Sequence, residues 1–272
     1  MTATPPHNQQ PTSLAALQED VVFLKNYLAL PLRTRYIAAR HWAGVVKNSA
    51  DSLERKTGMV KIYEDYVATT EDIGFFYFAL KLLGRFPRGI REHCLTFNLT
   101  PEREQEWERD LAAIPSGDHF LSGLDVPTLD ELSQISEIAL DRPVMVSVLR
   151  KTTNFLTASA AARRIGERLL VQAYNKIKHG MMIGEDGDAL VFTMRNRQSR
   201  LAVESGTADQ LVRAIAELRR GTGICIIFLL QAMALGAFNR GVYGLTPTEQ
   251  LTLGESFADM PDITLGDEGG AV

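Results

Sequence analysis

Residues 60–83, VKIYEDYVATTEDIGFFYFALKLL, decide the fold class, because their aromatic and aliphatic side chains recur on several sides of a helix. A helix at a protein surface is apolar along one stripe, whereas a helix that is apolar on several sides has to be surrounded by other elements. The stretch therefore predicts the central helix of a bundle.

Helical spacing of apolar residues continues on both sides of this stretch. Ser13 is a suitable N-cap for a helix that ends before Pro31, and Thr100 with Pro101 forms the start of another helix. The further predicted helices span residues 13–30, 34–55, 101–113, 128–140, 143–178 and 207–238. Residues 84–100 are rich in Gly and Pro and are predicted to be a loop.

Two of these helices contain residues that favour an irregularity. We expect an interruption of the 143–178 helix near Thr152 to Asn154, and a bend of the last helix at Gly221 and Gly223. The apolar segment Ile224 to Phe238 has fifteen residues, fewer than the roughly 20 that span a bilayer. It is predicted to be a buried bundle helix, although a membrane-associated segment is the alternative.

The hydrophobic period changes after the long helix. Residues 189–193 and 201–204 have the pattern of two short strands, with the turn sequence GEDGD before the first and a polar turn between them. The sequence therefore predicts an all-α fold, an up-and-down helical bundle with a small β-hairpin insertion. We expect one domain at 13–240, a disordered N-terminal tail at 1–12 and a flexible acidic tail at 241–272.

The charge of this chain is unevenly distributed. The formal net charge of the 272 residues is -4, and residues 241–272 contain six acids and no Lys or Arg. Residues 150–200, in contrast, contain ten basic and four acidic side chains. The acidic total thus conceals a basic middle, which is compatible with binding of phosphate groups. If the acidic tail covers this region, truncation at Gly241 will tighten RNA binding.

The segment at residues 162–180, ARRIGERLLVQAYNKIKHG, lies within the basic middle and places polar side chains along one stripe of a helix. On a helical wheel, the members of this stripe fall within about 80°. They are Arg164, Arg168, Gln172, Asn175 and His179. Such a stripe could hold phosphates through its Arg side chains and use His179 as an acid or base. The structural alternative is an ordinary amphipathic helix whose terminal His is stabilised by the helix dipole.

The string Tyr174 to Gly180, YNKIKHG, resembles the signature helix of HEPN-like domains. In that all-helical family an Arg, often followed by Asn, His or Asp, is separated from a His by four to six intervening residues. Asn175 and His179 match this pattern, whereas the permitted Arg positions hold Gln172, Ala173 and Tyr174. The resemblance implies a helical fold, a homodimer with a cleft between its subunits, and metal-independent RNA cleavage in active members.

The missing Arg changes what the resemblance implies for catalysis. Metal-free RNA cleavage needs an acid or base near the ribose hydroxyl and the leaving oxygen, and a cation beside the phosphate. His179 is the candidate for the first function, and Lys176, Lys178 or Arg168 could supply the cation. The predicted catalytic residues are His179, Asn175 and Lys178. Arg164, Arg168 and Lys176 are predicted to bind nucleic acid. We expect reduced or absent nuclease activity with RNA or nucleotide binding retained.

Acidic residues on the central helix form a second candidate cluster. Glu64 and Glu71 are seven residues apart and share a helix face, which permits a metal interpretation. No His stands three residues after a Glu here, so the ferritin-like ligand pattern is missing, and no metal or cofactor is predicted. We expect these acids instead to pair with basic side chains of a neighbouring helix, specifically Glu71 or Asp72 with Arg164, Arg168 or Lys178.

Two functional hypotheses remain open from the sequence. The first is a cytoplasmic HEPN-like protein that binds RNA or a nucleotide, in stress or defence as the resemblance implies. The second is a non-catalytic helical protein that dimerises and engages a protein partner through its hairpin or acidic tail. No membrane partner is predicted, and Cys94 and Cys225 form no metal-binding or redox motif.

Overall fold

A computed structural model of the chain describes residues 14–81, 90–97, 100–124, 142–162, 183–194 and 197–234. The predicted tails, the predicted helix at 128–140 and the predicted motif segment lie outside these residues. The described helices are α1 (Leu14–Ala29), α2 (Pro31–Asn48), α3 (Ser52–Lys81), α4 (Ile90–Thr96), α5 (Pro101–Ala112), α6 (Arg142–Ala162) and α7 (Ser205–Ala234). The strands are β1 (Ile183–Asp186), β2 (Ala189–Met194) and β3 (Arg197–Ala202).

The helices α1 and α2 run in the same general direction, antiparallel to α3. Pro31 occupies the first position of α2, so the break between the two helices is one residue, Leu30. Tyr27 packs on Phe76 at 5.1 Å between ring centroids, while Val46 and Trp42 lie against Gly58. From α1 to the end of α2, these contacts fall on progressively earlier turns of α3.

The break between α2 and α3 comes earlier than the sequence pattern predicted. The Asp51 side chain accepts a hydrogen bond from the Leu53 amide at 2.7 Å, and Ser49 Oγ donates to Glu54 at 2.6 Å. Both bonds satisfy polar groups at the start of α3, which begins at Ser52. The prediction of one helix through residue 55 was therefore wrong, and local capping by Ser and Asp is the reason.

The central position predicted for α3 is confirmed. All side chains from Ile73 to Leu80 are buried, and α3 packs against both α2 and α7. The segment Ile224–Leu230 of α7 is likewise buried, as predicted for a bundle helix. No helix in the described part of the chain combines the length and the apolar character needed to cross a membrane.

The short helix α4 corrects the prediction that residues 84–100 form a loop throughout. Its first two amides, those of Ile90 and Arg91, donate to the buried carboxylate of Asp20 at 2.9 and 3.0 Å. A carboxylate at this position satisfies amides that have no partner within the helix and interacts favourably with its dipole. The cap comes from α1, seventy residues earlier, so the sequence next to α4 contains no capping signal. The Gly and Pro residues before α4 therefore favoured the prediction of a loop.

The helix α5 confirms the predicted start at Thr100 and Pro101, with Thr100 Oγ accepting from the Arg103 amide. Residues after α5 are attached to α6 through Thr153, whose hydroxyl accepts from the Phe120 amide at 3.0 Å and donates to the Leu149 carbonyl. The helix α6 is continuous through residues 152–154, contrary to the expected interruption. The Thr152 hydroxyl donates to the Glu217 carbonyl of α7 at 3.4 Å. Thr152 and Thr153, which suggested a break, therefore hold adjacent elements together.

The helix α7 also continues without interruption through Gly221 and Gly223. Gly221 marks the closest approach of α7 to its neighbours: a Cβ atom there would lie under 3.0 Å from Thr152 Cγ2 of α6 and Ile73 Cδ1 of α3. Gly223 has more room, since its Cβ would meet Leu28 at 3.9 Å. Close helix packing therefore accounts for a Gly at position 221.

We expect Gly221→Ala to destabilise the fold by about 1 to 2 kcal/mol, because overpacking at Thr152 outweighs the better helix propensity of Ala. The matched control, Gly223→Ala, should be neutral or stabilising by up to about 1 kcal/mol. Urea denaturation followed by circular dichroism measures both values. Equal stabilities of the two variants would contradict the packing argument.

The β insertion is an antiparallel meander of three strands, in the order β1-β2-β3. The residues predicted as a turn, GEDGD, form most of β1 and a two-residue turn in which Gly187 has a φ of 59°. Val191 pairs with Gly184 on one side and Arg200 on the other. The small β insertion is thus confirmed, with an additional first strand and a second predicted strand that begins at Arg197.

The sheet lies at one end of the bundle, where α2 ends and α3 and α7 begin. Leu190 and Val203 are buried in a cluster with Met59 and Ile215, and Arg55 is paired with Asp188 at 3.7 Å. The chain passes directly from β3 into α7 through Val203, whose amide donates to the Asp188 carbonyl. The predicted all-α fold with a small β insertion is confirmed for the described residues.

Candidate functional site

The structure describes only part of the predicted site. The residues predicted for catalysis and nucleic-acid binding lie outside the described residues, between the end of α6 at Ala162 and the start of β1 at Ile183. They are Arg164, Arg168, Asn175, Lys176, Lys178 and His179. The two supporting acids, Glu71 and Asp72, are on α3.

Asp72 joins three helices through its carboxylate. Its Oδ2 accepts a charged hydrogen bond from Arg35 Nη1 of α2, and the hydroxyl of Tyr27 on α1 is a second hydrogen-bond partner. The Asp72 side chain is 13% exposed and that of Arg35 is 30% exposed. Tyr27, Arg35 and Asp72 thus form a mostly buried polar cluster, here called the Asp72 cluster.

The pairing predicted for the acids of α3 is confirmed for Asp72 in its general form, since the partner is a basic side chain of a neighbouring helix. That partner is Arg35, whereas the predicted partners Arg164, Arg168 and Lys178 lie outside the described residues. Glu71 is half-buried beside Asp72. The antiparallel packing of α2 on α3 brings residue 35 beside residue 72, and sequence spacing alone did not reveal this match.

Burial dominates the electrostatics of the Asp72 cluster. It raises the pKa of Asp72, while Arg35 and the Tyr27 hydroxyl stabilise the charged form and oppose that rise. Burial, followed by the charge of Asp72, also raises the pKa of Tyr27. Tyr27 therefore remains a neutral hydrogen-bond donor at physiological pH, as its position between α1 and Asp72 requires.

Asp65 lies two turns before Asp72 on α3. Burial raises the pKa of Asp65 to about 6; Arg35 opposes the rise and Glu64 adds to it. Asp65 and Asp72 are seven residues apart, and Arg35 stabilises the charged forms of both. Sequence reasoning missed Tyr27 and Arg35, and it placed Asp65 in the acidic cluster of α3 without using its seven-residue spacing from Asp72.

His93 and Cys94 lie next to this region on α4, and both are half-buried. The His93 ring packs against Phe75 and Phe97 at centroid distances of 5.3 and 5.7 Å. Burial, followed by the charge of Arg103, lowers the pKa of His93 to about 4. Burial and then Asp72 raise the pKa of Cys94 to about 11, so its thiol is protonated and unsuited to nucleophilic attack.

A second polar cluster connects α3 to α5. Asp110 Oδ2 accepts from the Tyr77 hydroxyl at 2.7 Å and from Lys81 Nζ at 2.5 Å, and Lys81 also pairs with Glu106 at 2.7 Å. Burial lowers the pKa of Lys81, but Asp110 and Glu106 together raise it above its ordinary value. Trp107 stacks on Tyr77, so this cluster has the form of a structural attachment between two helices.

In the described ranges, no group of three or more His, Cys, Asp or Glu side chains is placed to hold a metal ion. The described polar clusters are instead carboxylates satisfied by Arg, Lys and Tyr donors. Comparisons of the chain with protein-family models, with curated proteins and with solved structures found no match.

Proposed function

We propose that this protein binds RNA or a nucleotide as a HEPN-like helical protein with reduced or absent metal-independent ribonuclease activity. The observation that carries the proposal is the YNKIKHG segment at residues 174–180, within a chain region of ten basic and four acidic side chains. The mostly helical fold, in which α6 precedes the segment and the small sheet follows it, is compatible with the resemblance.

The chemistry assigned to the segment follows from its residue types. His179 titrates near neutral pH when unperturbed, so it can transfer a proton at the ribose hydroxyl or at the leaving oxygen. Lys178 supplies a positive charge for the phosphate, but an ammonium lacks the planar double donor that a guanidinium offers. Asn175 contributes an amide that can position the RNA. Binding is thus better supported than turnover.

The proposal is tested by the fluorescence anisotropy of a labelled 20-nucleotide single-stranded RNA in EDTA. Wild type should bind with an affinity that falls as salt rises, by about 0.7 in the logarithmic slope for each phosphate contact. We expect the double variant Lys178→Ala/His179→Ala to bind about tenfold more weakly. The single variant Lys61→Ala removes an equally charged side chain on α3, 49% exposed, and should change nothing.

The second candidate is a non-catalytic dimerisation or interaction protein. It is favoured by the exposure of large apolar side chains, with Val22, Leu30 and Ile37 exposed by 56%, 68% and 64%. This function requires an oligomer whose stability does not change with salt, and no affinity for RNA. Light scattering alongside the anisotropy measurement distinguishes the two functions, and an RNA-inactive dimer would reject the first.

A further inference from the structure

The outer face of α2 is a basic surface that the motif segment does not include. The helix contains Arg33, Arg35, Arg40 and Lys47 and has no acidic residue over its eighteen positions. Arg35 points to Asp72, whereas Arg33, Arg40 and Lys47 are exposed. These three side chains recur every seventh residue, so they lie along one line of the helix. We call Arg33, Ile37, Arg40 and Lys47 the α2 face.

The spacing of these charges suits an extended polyanion. Seven residues correspond to a rise of about 10.5 Å along a helix, so the three cations span about 21 Å. Phosphates of a nucleic-acid strand follow one another every few ångströms, so one strand laid along α2 would pass each cation. Gly44 lies on the same side, and a Cβ there would meet nothing within 4 Å. At Gly44, between Arg40 and Lys47, the surface of α2 therefore has no side chain and is open.

Aromatic and apolar groups accompany the charges. Arg40 of α2 and Arg219 of α7 both lie over the ring of Tyr36, at 5.8 and 4.9 Å from its centroid. These cation–π contacts restrain two guanidinium groups at the edge of the α2 face. Ile37 lies between Arg33 and Arg40 and is 64% exposed, which gives an apolar contact for a base.

We infer that the α2 face is a binding surface for the sugar-phosphate backbone of single-stranded RNA. This inference rests on the proposed function, because it takes RNA as the partner and adds a second contact surface to the motif segment. A strand is favoured over an anionic membrane because membrane-surface helices need a broad apolar face beside the charges. The apolar face of α2, about 100° around the helix from these cations, is already occupied, with Leu32, Ala39 and Val46 buried in the bundle.

The test uses the full chain and the same labelled 20-nucleotide RNA. The triple variant Arg33→Gln/Arg40→Gln/Lys47→Gln should bind at least about tenfold more weakly, with a salt slope lower by about 2. Its matched control is Lys61→Gln/Arg91→Gln/Arg109→Gln, which removes three exposed cations from α3, α4 and α5. The control should retain wild-type affinity, and circular dichroism verifies that both triple variants keep their helical content.

The outcomes separate the inference from the proposed function. If the α2 triple variant binds like wild type while Lys178→Ala/His179→Ala binds weakly, the α2 face is rejected and the proposed function stands. Equal losses in both triple variants would also reject it, because the effect would follow net charge alone. If wild type binds no RNA, both proposals fail. Vesicles containing phosphatidylserine test the membrane alternative. The inference is overturned if the α2 triple variant loses vesicle binding but binds RNA like wild type.

Discussion

Tyr174→Arg is expected to raise metal-independent RNA cleavage about 100-fold above the wild-type level. The substitution places an Arg directly before Asn175 and five positions before His179, which completes the pattern of the HEPN-like signature. A guanidinium can donate two parallel hydrogen bonds to a phosphate, and its charge is retained throughout the reaction. It would therefore stabilise the negative charge that develops on the phosphate while His179 transfers the proton.

Two control variants make this expectation specific. Tyr174→Lys introduces the same charge without the planar donor pair, so it should give a much smaller increase than Tyr174→Arg. Tyr174→Arg/His179→Ala keeps the guanidinium and removes the acid-base group, so its cleavage should return to the wild-type level. Cleavage of a fluorophore-quencher RNA in EDTA measures all four proteins. If Tyr174→Lys equals Tyr174→Arg, or if cleavage survives His179→Ala, the assigned chemistry is wrong.

The sequence predicted those elements of the fold whose causes are local. The uninterrupted burial of Ile73–Leu80 follows from an apolar run, and the start of α5 follows from Thr100 and Pro101. The break at Ser49–Asp51 was missed although its capping residues are local and readable. In contrast, α4 depends on the side chain of Asp20, and no pattern within residues 84–100 could reveal a cap from another helix.

The same distinction applies to the candidate site. Glu71 and Asp72 attracted notice because they are acids beside an aromatic run, and the expectation of a basic partner was correct for Asp72. The identity of that partner depended on how α2 packs against α3, which the sequence does not state. The strand β1 could not be predicted for a different reason. Gly184, Glu185 and Asp186 favour turns and become a strand only through pairing with β2.

Asp72→Ala is expected to lower the free energy of unfolding by about 3 kcal/mol. The substitution removes the carboxylate that accepts from Arg35 and Tyr27, and it leaves a largely buried guanidinium without that counterion. The expected loss lies at the low end for buried pairs because Arg35 is 30% exposed and can reach water. Urea denaturation provides the measurement, and Glu19→Ala is the control.

Glu19 is a suitable control because it also joins two helices, pairing with Arg91 of α4 at 2.9 Å, but both side chains are more than half exposed. An exposed pair contributes less than about 1 kcal/mol, so Glu19→Ala should be nearly neutral. If Asp72→Ala is equally mild, the Asp72 cluster does not anchor α1 and α2 to α3. The geometry of the cluster would then be incidental to the stability of the bundle.

The double variant Arg35→Met/Asp72→Leu separates the two contributions that Asp72→Ala combines. It removes both charges and refills the space with apolar groups, so no buried ion remains to be solvated. We expect it to recover most of the stability that Asp72→Ala loses, since the desolvation that raises the pKa of Asp72 also destabilises the wild-type pair. Losses that simply add in the double variant would contradict a direct coupling between Arg35 and Asp72. Recovery would instead show that the pair adds little net stability and that the apolar core supplies most of it.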